Sequence, residues 1–258
     1  MFVRSLAAVG GACAILCGGA FAQDAERSMT SAPLRRPVVV ELFLSQSCNA
    51  SPPAAEVLSE IARRPDVVAL SWHVGYWDAF ASQKFGVWQD PFARASFVDR
   101  QMAYNKRLAG RAAKMTPQTI IDGVISVRGS KREAIEQGIL EAQVFDEHAR
   151  STPPRLHLER RADGVIRTRI ENVGAPYDAV VVSFRRSAVT NISGGDNAGR
   201  VFQEANVVRA VTPLINNHDG PAEFTFRPPK NGLDCAVLVQ ERGQGRIVAA
   251  RYCGLEAE

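Results

Sequence analysis

The 258-residue chain has few of the groups on which many reactions depend. Its four histidines, His73, His148, His157 and His218, are dispersed. Neither a Cys-x-x-Cys pair nor a His-Glu-x-x-His motif supplies metal-ligand spacing, so no metal is expected. No glycine-rich phosphate loop, dinucleotide fingerprint or Gly-x-Ser-x-Gly elbow occurs, which removes the signatures of nucleotide-dependent enzymes and serine hydrolases. Internal repeats and low-complexity segments are also missing. Charge of one sign is scarce: Lys+Arg 31 against Asp+Glu 27 leaves +4, too mild to argue for nucleic acid or an anionic membrane. With 46% hydrophobic and 22% charged residues, the composition is that of a globular protein, not a disordered, collagen-like or coiled-coil chain.

No apolar run reaches the ~20 residues needed to span a bilayer. The N-terminus instead reads as a secretory signal over residues 1–22. Arg4 supplies the positive end, residues 6–16 the apolar core, and Ala20-Phe21-Ala22 a small-x-small cleavage site. Leu16 before Cys17 is too bulky for a lipoprotein site. Cleavage after Ala22 discards Cys13 and Cys17 and leaves Cys48, Cys235 and Cys253. The expected location is periplasmic or secreted, with no membrane span after cleavage. In an oxidising compartment, three cysteines suggest one bridge and one free thiol.

After a polar leader at 23–36, residues 37–150 read as alternating strands and helices. Residues 38–44 and 67–73 are near-continuous apolar runs, as in strands covered on both faces. Residues 54–64, 93–109 and 131–148 have helical apolar spacing. Asp122-Gly123 between 118–122 and 124–128 is a hairpin signal. Thr152-Pro153-Pro154 marks a linker. Residues 155–258 then carry short alternating segments at 156–159, 164–172, 179–185, 207–211 and 223–227, followed by two C-terminal runs. Turn signals between them favour a small β-sandwich.

Cys48 lies where the first strand meets the first helix, in Ser45-Gln46-Ser47-Cys48-Asn49-Ala50-Ser51-Pro52-Pro53. Helix starts present unpaired N–H groups and the positive end of the dipole, an environment that favours a thiolate. Pro52 and Pro53 suit a first helical turn. Met115-Thr116-Pro117-Gln118 precedes the third strand, and Pro117 could be a cis proline facing the cysteine, with Thr116 offering backbone groups to a substrate. A trans proline that simply begins a strand is the alternative.

Glu41-Leu42-Phe43, Ser45-Gln46-Ser47-Cys48, His73-Val74-Gly75-Tyr76-Trp77-Asp78 and Thr116-Pro117-Gln118 resemble a secreted thioredoxin-like family catalogued as domain of unknown function 1223. Gly195-Asp196-Asn197-Ala198-Gly199-Arg200 and Asn206-Val207-Val208-Arg209 resemble its second-domain motifs. The resemblance covers nearly the whole mature chain. It implies an α/β thioredoxin-like domain followed by a β-rich one, and it supplies no reaction. Such families usually have Cys-x-x-Cys before Pro-Pro, whereas Ser51 stands here at the second position.

A lone motif cysteine cannot resolve its own mixed disulfide; an outside thiol must do so. Such a site suits glutathione-linked exchange, disulfide shuffling or long-lived adducts, with thiol- or disulfide-bearing protein clients or small thiols as partners. No cofactor is expected, although glutathione could act as co-substrate. The expected roles are Cys48 as nucleophile, Ser51 as its hydrogen-bonding neighbour, and Thr116 with Pro117 as the substrate edge. The alternative is a binding protein that keeps the fold without the chemistry.

Glu41, inside an apolar strand, could be an acid or base acting on Cys48 through water, or a surface-facing residue. His73 could orient the loop bearing Tyr76, Trp77 and Asp78. Trp72, Tyr76, Trp77, Phe80, Phe85 and Trp88 could line an apolar groove beside the thiol, or simply pack in the core. Near the C-terminus, a three-residue loop at 243–245 would pair Arg242 with Arg246 and, counting outward, Cys235 with Cys253. Directly opposed residues have Cα atoms ~4.5–5.5 Å apart, within the ~4.4–6.8 Å that a disulfide spans. A loop one residue longer or shorter would put the two on opposite faces. A resolving role for one of them, or two free thiols, are the rival readings.

Overall fold

The computed structural model describes residues 1–2, 36–79, 86–149 and 152–254. Most of the expected signal and leader, together with Phe80 and Phe85, lies outside the described residues.

Strand β1 (Val38–Leu44) and strand β2 (Val67–His73) are buried at every position, as their near-continuous apolar runs require. They pair in parallel from Val38 opposite Val67 to Leu44 opposite His73. Parallel strands need a crossover, supplied here by helix α1 (Pro52–Ile61). Pro52 and Pro53 sit in its first turn, where a missing N–H costs no internal bond, and Ala54, Ala55, Val57, Leu58 and Ile61 are buried. Helix α2 (Ala95–Ala109) ends at Gly110, whose φ of 72° suits glycine. Strand β3 (Gln118–Ile121) runs antiparallel to β1 and forms a hairpin with strand β4 (Ile125–Arg128). Gly123 in that turn has a φ of 72°, and a Cβ there would lie 2.4 Å from the carbonyl oxygen of Gly245. Helix α3 (Arg132–Ala149) follows.

Alternation along β1 sorts its side chains to two faces. Val38, Val40, Leu42 and Leu44 pack with α1 and with Ile135, Ile139 and Ala142 of α3. Val39 and Phe43 join Val68, Leu70 and Trp72 against Phe97 and Tyr104 of α2. Trp72 stands edge-on to Phe97 with ring centroids 5.1 Å apart. Truncating any of these rings to alanine would cost ~3–5 kcal/mol.

The remaining strands are β5 (Arg155–Arg160), β6 (Ile166–Glu171), β7 (Tyr177–Asn191), β8 (Val201–His218), β9 (Ala222–Phe226), β10 (Asp234–Glu241) and β11 (Ile247–Tyr252). The sequence leads one to expect a separate small sandwich here. Instead, four of these strands continue the first sheet in the order β11-β10-β7-β8-β2-β1-β3-β4, and β5-β6-β9 form a second, three-stranded sheet. The joint is one parallel pairing, Ser71 opposite Val207. Two side-chain bonds reinforce it: Ser71 Oγ donates to Ala205 O at 2.8 Å, and Asn206 Nδ2 donates to Ala69 O at 2.9 Å. Leu156, Ile166 and Ile170 of the smaller sheet pack on Tyr177, Val181, Val237 and Val239 of the larger. The result is a mixed α/β fold built on a large central sheet, with residues 35–258 forming one compact unit.

Cys235 and Cys253 form a disulfide with Cα atoms 5.3 Å apart. The turn that aligns them is longer than a three-residue loop, because Glu241 N donates to Arg246 O at 2.8 Å and leaves 242–245 outside the ladder. A register shift between Val239 and Gln240 absorbs the difference and restores Ala236 opposite Tyr252.

Candidate functional site

Cys48 occupies the connection between β1 and α1. It is 5% exposed and is the free cysteine among the described residues. Turn bonds wind the backbone toward the helix: Cys48 N donates to Ser45 O at 3.1 Å and Ser51 N to Cys48 O at 3.0 Å. Ser51 is at the N-cap position, yet its side chain does not cap the helix. Its Oγ turns back instead and accepts Ser45 N at 3.2 Å.

The sulfur faces the start of β3. Cys48 Sγ lies 3.9 Å from Thr116 O, and the Thr116–Pro117 peptide is cis. Trp77 Nε1 donates to Thr116 Oγ1 at 2.6 Å, which fixes the indole beside this edge. The Tyr76 ring lies 6.1 Å from that of Trp77, and its hydroxyl is 3.2 Å from Gln101 Oε1. Gln101 in turn donates to Met115 O at 2.6 Å. Burial pushes the Tyr76 hydroxyl above the ordinary phenol range; the bond to Gln101 opposes this, and the neighbouring Cys48 adds to it. Thus Cys48, Ser51, Tyr76, Trp77, Thr116 and Pro117, drawn from three separate segments of the chain, form one neighbourhood.

Not every residue singled out from the sequence belongs to it. Glu41 points to the α2 side of the sheet. Its Oε1 accepts Arg100 Nε at 2.7 Å, and its Oε2 accepts Arg100 Nη2 at 3.1 Å and the Tyr104 hydroxyl at 2.5 Å. Both oxygens are therefore engaged in a core ion pair, which replaces the acid–base role beside Cys48. Trp72 is fully buried in the core between Phe43 and Phe97, not in a groove. Trp88 does stand near the cysteine loop, with Nε1 donating to Gln46 Oε1 at 3.2 Å.

His73 reaches the site through a network that no sequence motif disclosed. Its Nδ1 lies 2.8 Å from Asp90 Oδ2, and its Nε2 lies 3.2 Å from Glu204 Oε1; all three side chains are fully buried. The Glu204 contact lacks hydrogen-bond alignment, so it acts as an electrostatic pairing. Burial disfavours a charged ring, but Glu204 and Asp90 together outweigh it and push the His73 pKa up to about 10. Gln46 joins both carboxylates to the cysteine loop, donating its N–H to Asp90 Oδ2 at 2.9 Å and its Nε2 to Glu204 Oε2 at 2.8 Å. Asn197, in the 3-10 turn Gly195–Asn197, donates to Gln46 O at 2.8 Å and to Cys48 O at 2.9 Å. Polar residues inside otherwise apolar or glycine-rich segments, such as Glu204 and Asn197, were the available signal. Their partners lie too distant in sequence to be paired by spacing.

Among the described residues, no group of three or more His, Cys, Asp or Glu side chains is arranged to hold a metal ion. No described helix is long and apolar enough to cross a membrane.

The sequence model of the family described as "Protein of unknown function (DUF1223)" matches residues 39–240. The chain belongs to that family. The DUF1223 match begins in β1 and ends in β10, so it takes in both the cysteine loop and the turn that carries Asn197. A crystal structure of a protein from Agrobacterium tumefaciens is similar, with 25% identity and a TM-score of 0.68, covering 86% of this chain and 96% of that one. No curated protein matches the chain.

Proposed function

We propose that this DUF1223 protein is an exported, thioredoxin-like protein that performs monothiol exchange at Cys48. The observation that carries the reading is the position of the Cys48 sulfur. It lies at the entry to α1, 3.9 Å from Thr116 O, while the other described cysteines are tied to each other. The aromatic pair Tyr76 and Trp77 offers an apolar wall for a thiol substrate. The Cys48 thiolate would attack one sulfur of a disulfide and form a new S–S bond. The other sulfur departs as a thiolate and takes a proton from water. With Ser51 in place of a second cysteine, the adduct persists until an external thiol arrives.

The test is incubation of the full chain with glutathione disulfide, read by intact mass and peptide mapping. One glutathionyl group on Cys48, lost in Cys48→Ala, is the expected result. An unmodified Cys48 would overturn exchange chemistry. The near-complete burial of Cys48 would then favour the second reading, a non-covalent binding protein that uses the Tyr76 and Trp77 wall.

A further inference from the structure

We infer that Asn197 is a positioning residue of the Cys48 site, contributed by the half of the chain that carries no thiol. The inference rests on the exchange reading above. Asn197 is fully buried, and 149 positions separate it from Cys48. Its amide nitrogen spends both hydrogens on the cysteine loop, one on Gln46 O and one on Cys48 O. Its Oδ1 is buried without a hydrogen-bond partner. That asymmetry identifies the purpose of the amide: two converging carbonyl oxygens accept only the NH2 end, and a flip would set oxygen against oxygen.

The turn bearing Asn197 is itself fixed against the rim of the site. Gly195 N donates to Gly86 O at 3.2 Å, and a Cβ on Gly195 would come within 3.2 Å of Trp88 Cβ. Arg200 N closes the turn on Asn197 O at 3.0 Å. The side chain is therefore delivered by a braced loop.

Electrostatics gives this contact a chemical consequence. One carbonyl oxygen, Thr116 O, lies 3.9 Å from the Cys48 sulfur, and the carbonyl of Cys48 itself is held by Asn197. Carbonyl oxygens repel an anion, and a donor placed on them withdraws that negative potential. Asn197 does this for Cys48 O and Gln46 O together, and it holds the loop so that the sulfur meets Thr116. Glu204 and Asp90 hold the same loop through Gln46, so three residues outside the cysteine motif determine its shape.

The experiment compares glutathione-disulfide reactivity of the full chain with that of Asn197→Ala, with Asn206→Ala as control. Asn206 is a buried amide of the same half that also donates to a backbone carbonyl, but it serves Ala69 O and the Tyr252 hydroxyl. The expected result is a rate of adduct formation lowered about tenfold in Asn197→Ala, with its pH–rate profile displaced to higher pH. Asn206→Ala should lose comparable thermal stability yet keep both rate and profile. If Asn197→Ala does not fold, Asn197→Ser, too short to reach both carbonyls, carries the same expectation. A reactive wild type with an equally reactive Asn197 variant overturns the positioning role alone. Equal slowing in Asn206→Ala reduces Asn197 to general stability and also overturns it. An unreactive wild type removes the exchange reading, and this inference with it.

Discussion

Arg100 grips Glu41 through both carboxylate oxygens, Nε to Oε1 at 2.7 Å and Nη2 to Oε2 at 3.1 Å. Glu41 is fully buried, so removing Arg100 would leave a buried carboxylate without its cation. Arg100→Leu should therefore destabilise the fold by ~3–5 kcal/mol, read as a lower urea midpoint. Replacing both residues with leucine should cost less than the sum of the single changes. Additive losses would remove the coupling between them.

The His73 cluster predicts a dependence on alkaline pH. The folded pKa, pushed up to about 10, exceeds the ordinary 6.5 of an unfolded histidine. The stabilisation is therefore complete below the lower value and is lost as pH rises through the upper one. Melting temperature should fall between neutral pH and pH ~10, and His73→Gln should flatten that part of the profile by a difference of the order of a few kcal/mol. Parallel profiles for the two proteins would contradict the charged state assigned to His73.

Ser51→Cys restores the second thiol at the motif position. The introduced group should attack the mixed disulfide from within and release glutathione, shortening the life of the adduct at least about tenfold. Intact-mass time courses would show this directly. A persistent adduct would mean that position 51 cannot reach the sulfur.

The Cys235–Cys253 bridge closes a loop with a sequence separation of 18. Replacing both cysteines with alanine should remove roughly 3 kcal/mol, or about 10 °C in melting temperature, by calorimetry. Adduct formation at Cys48 should continue in that variant. Its loss would link the bridge to the chemistry.

The first half of the fold was largely legible because its signals are local. The apolar runs at 38–44 and 67–73 became β1 and β2, and the α1 prolines announced the helix start. In the second half the strands were found, but not their extent. β7 and β8 run through Arg185, Arg186, Asn206 and Pro213, residues that local propensity assigns to strand ends, because a long hairpin with register shifts accommodates them. The sheet joint at Ser71 and Val207 has no sequence signature, since a parallel contact between distant segments is decided by tertiary packing. The disulfide register was anticipated from a turn of the wrong length; the shift at Val239 and Gln240 compensates for it. Cys48, Thr116, Tyr76 and Trp77 were legible as motifs. Asp90 and Glu204 were not, and Asn197 was legible only as part of a motif without its contact to the cysteine loop, because their importance lies in whom they meet.

The junction at Ser71 and Val207 also sets how the chain can be divided. Cutting at the proline pair near residue 153 would strip β8 from β2 and leave a strand that is otherwise buried along its length as an open border. Such a border recruits any extended chain it meets, so the severed first half would self-associate rather than stand alone. The thiol-bearing segment would then depend on the other half for its solubility.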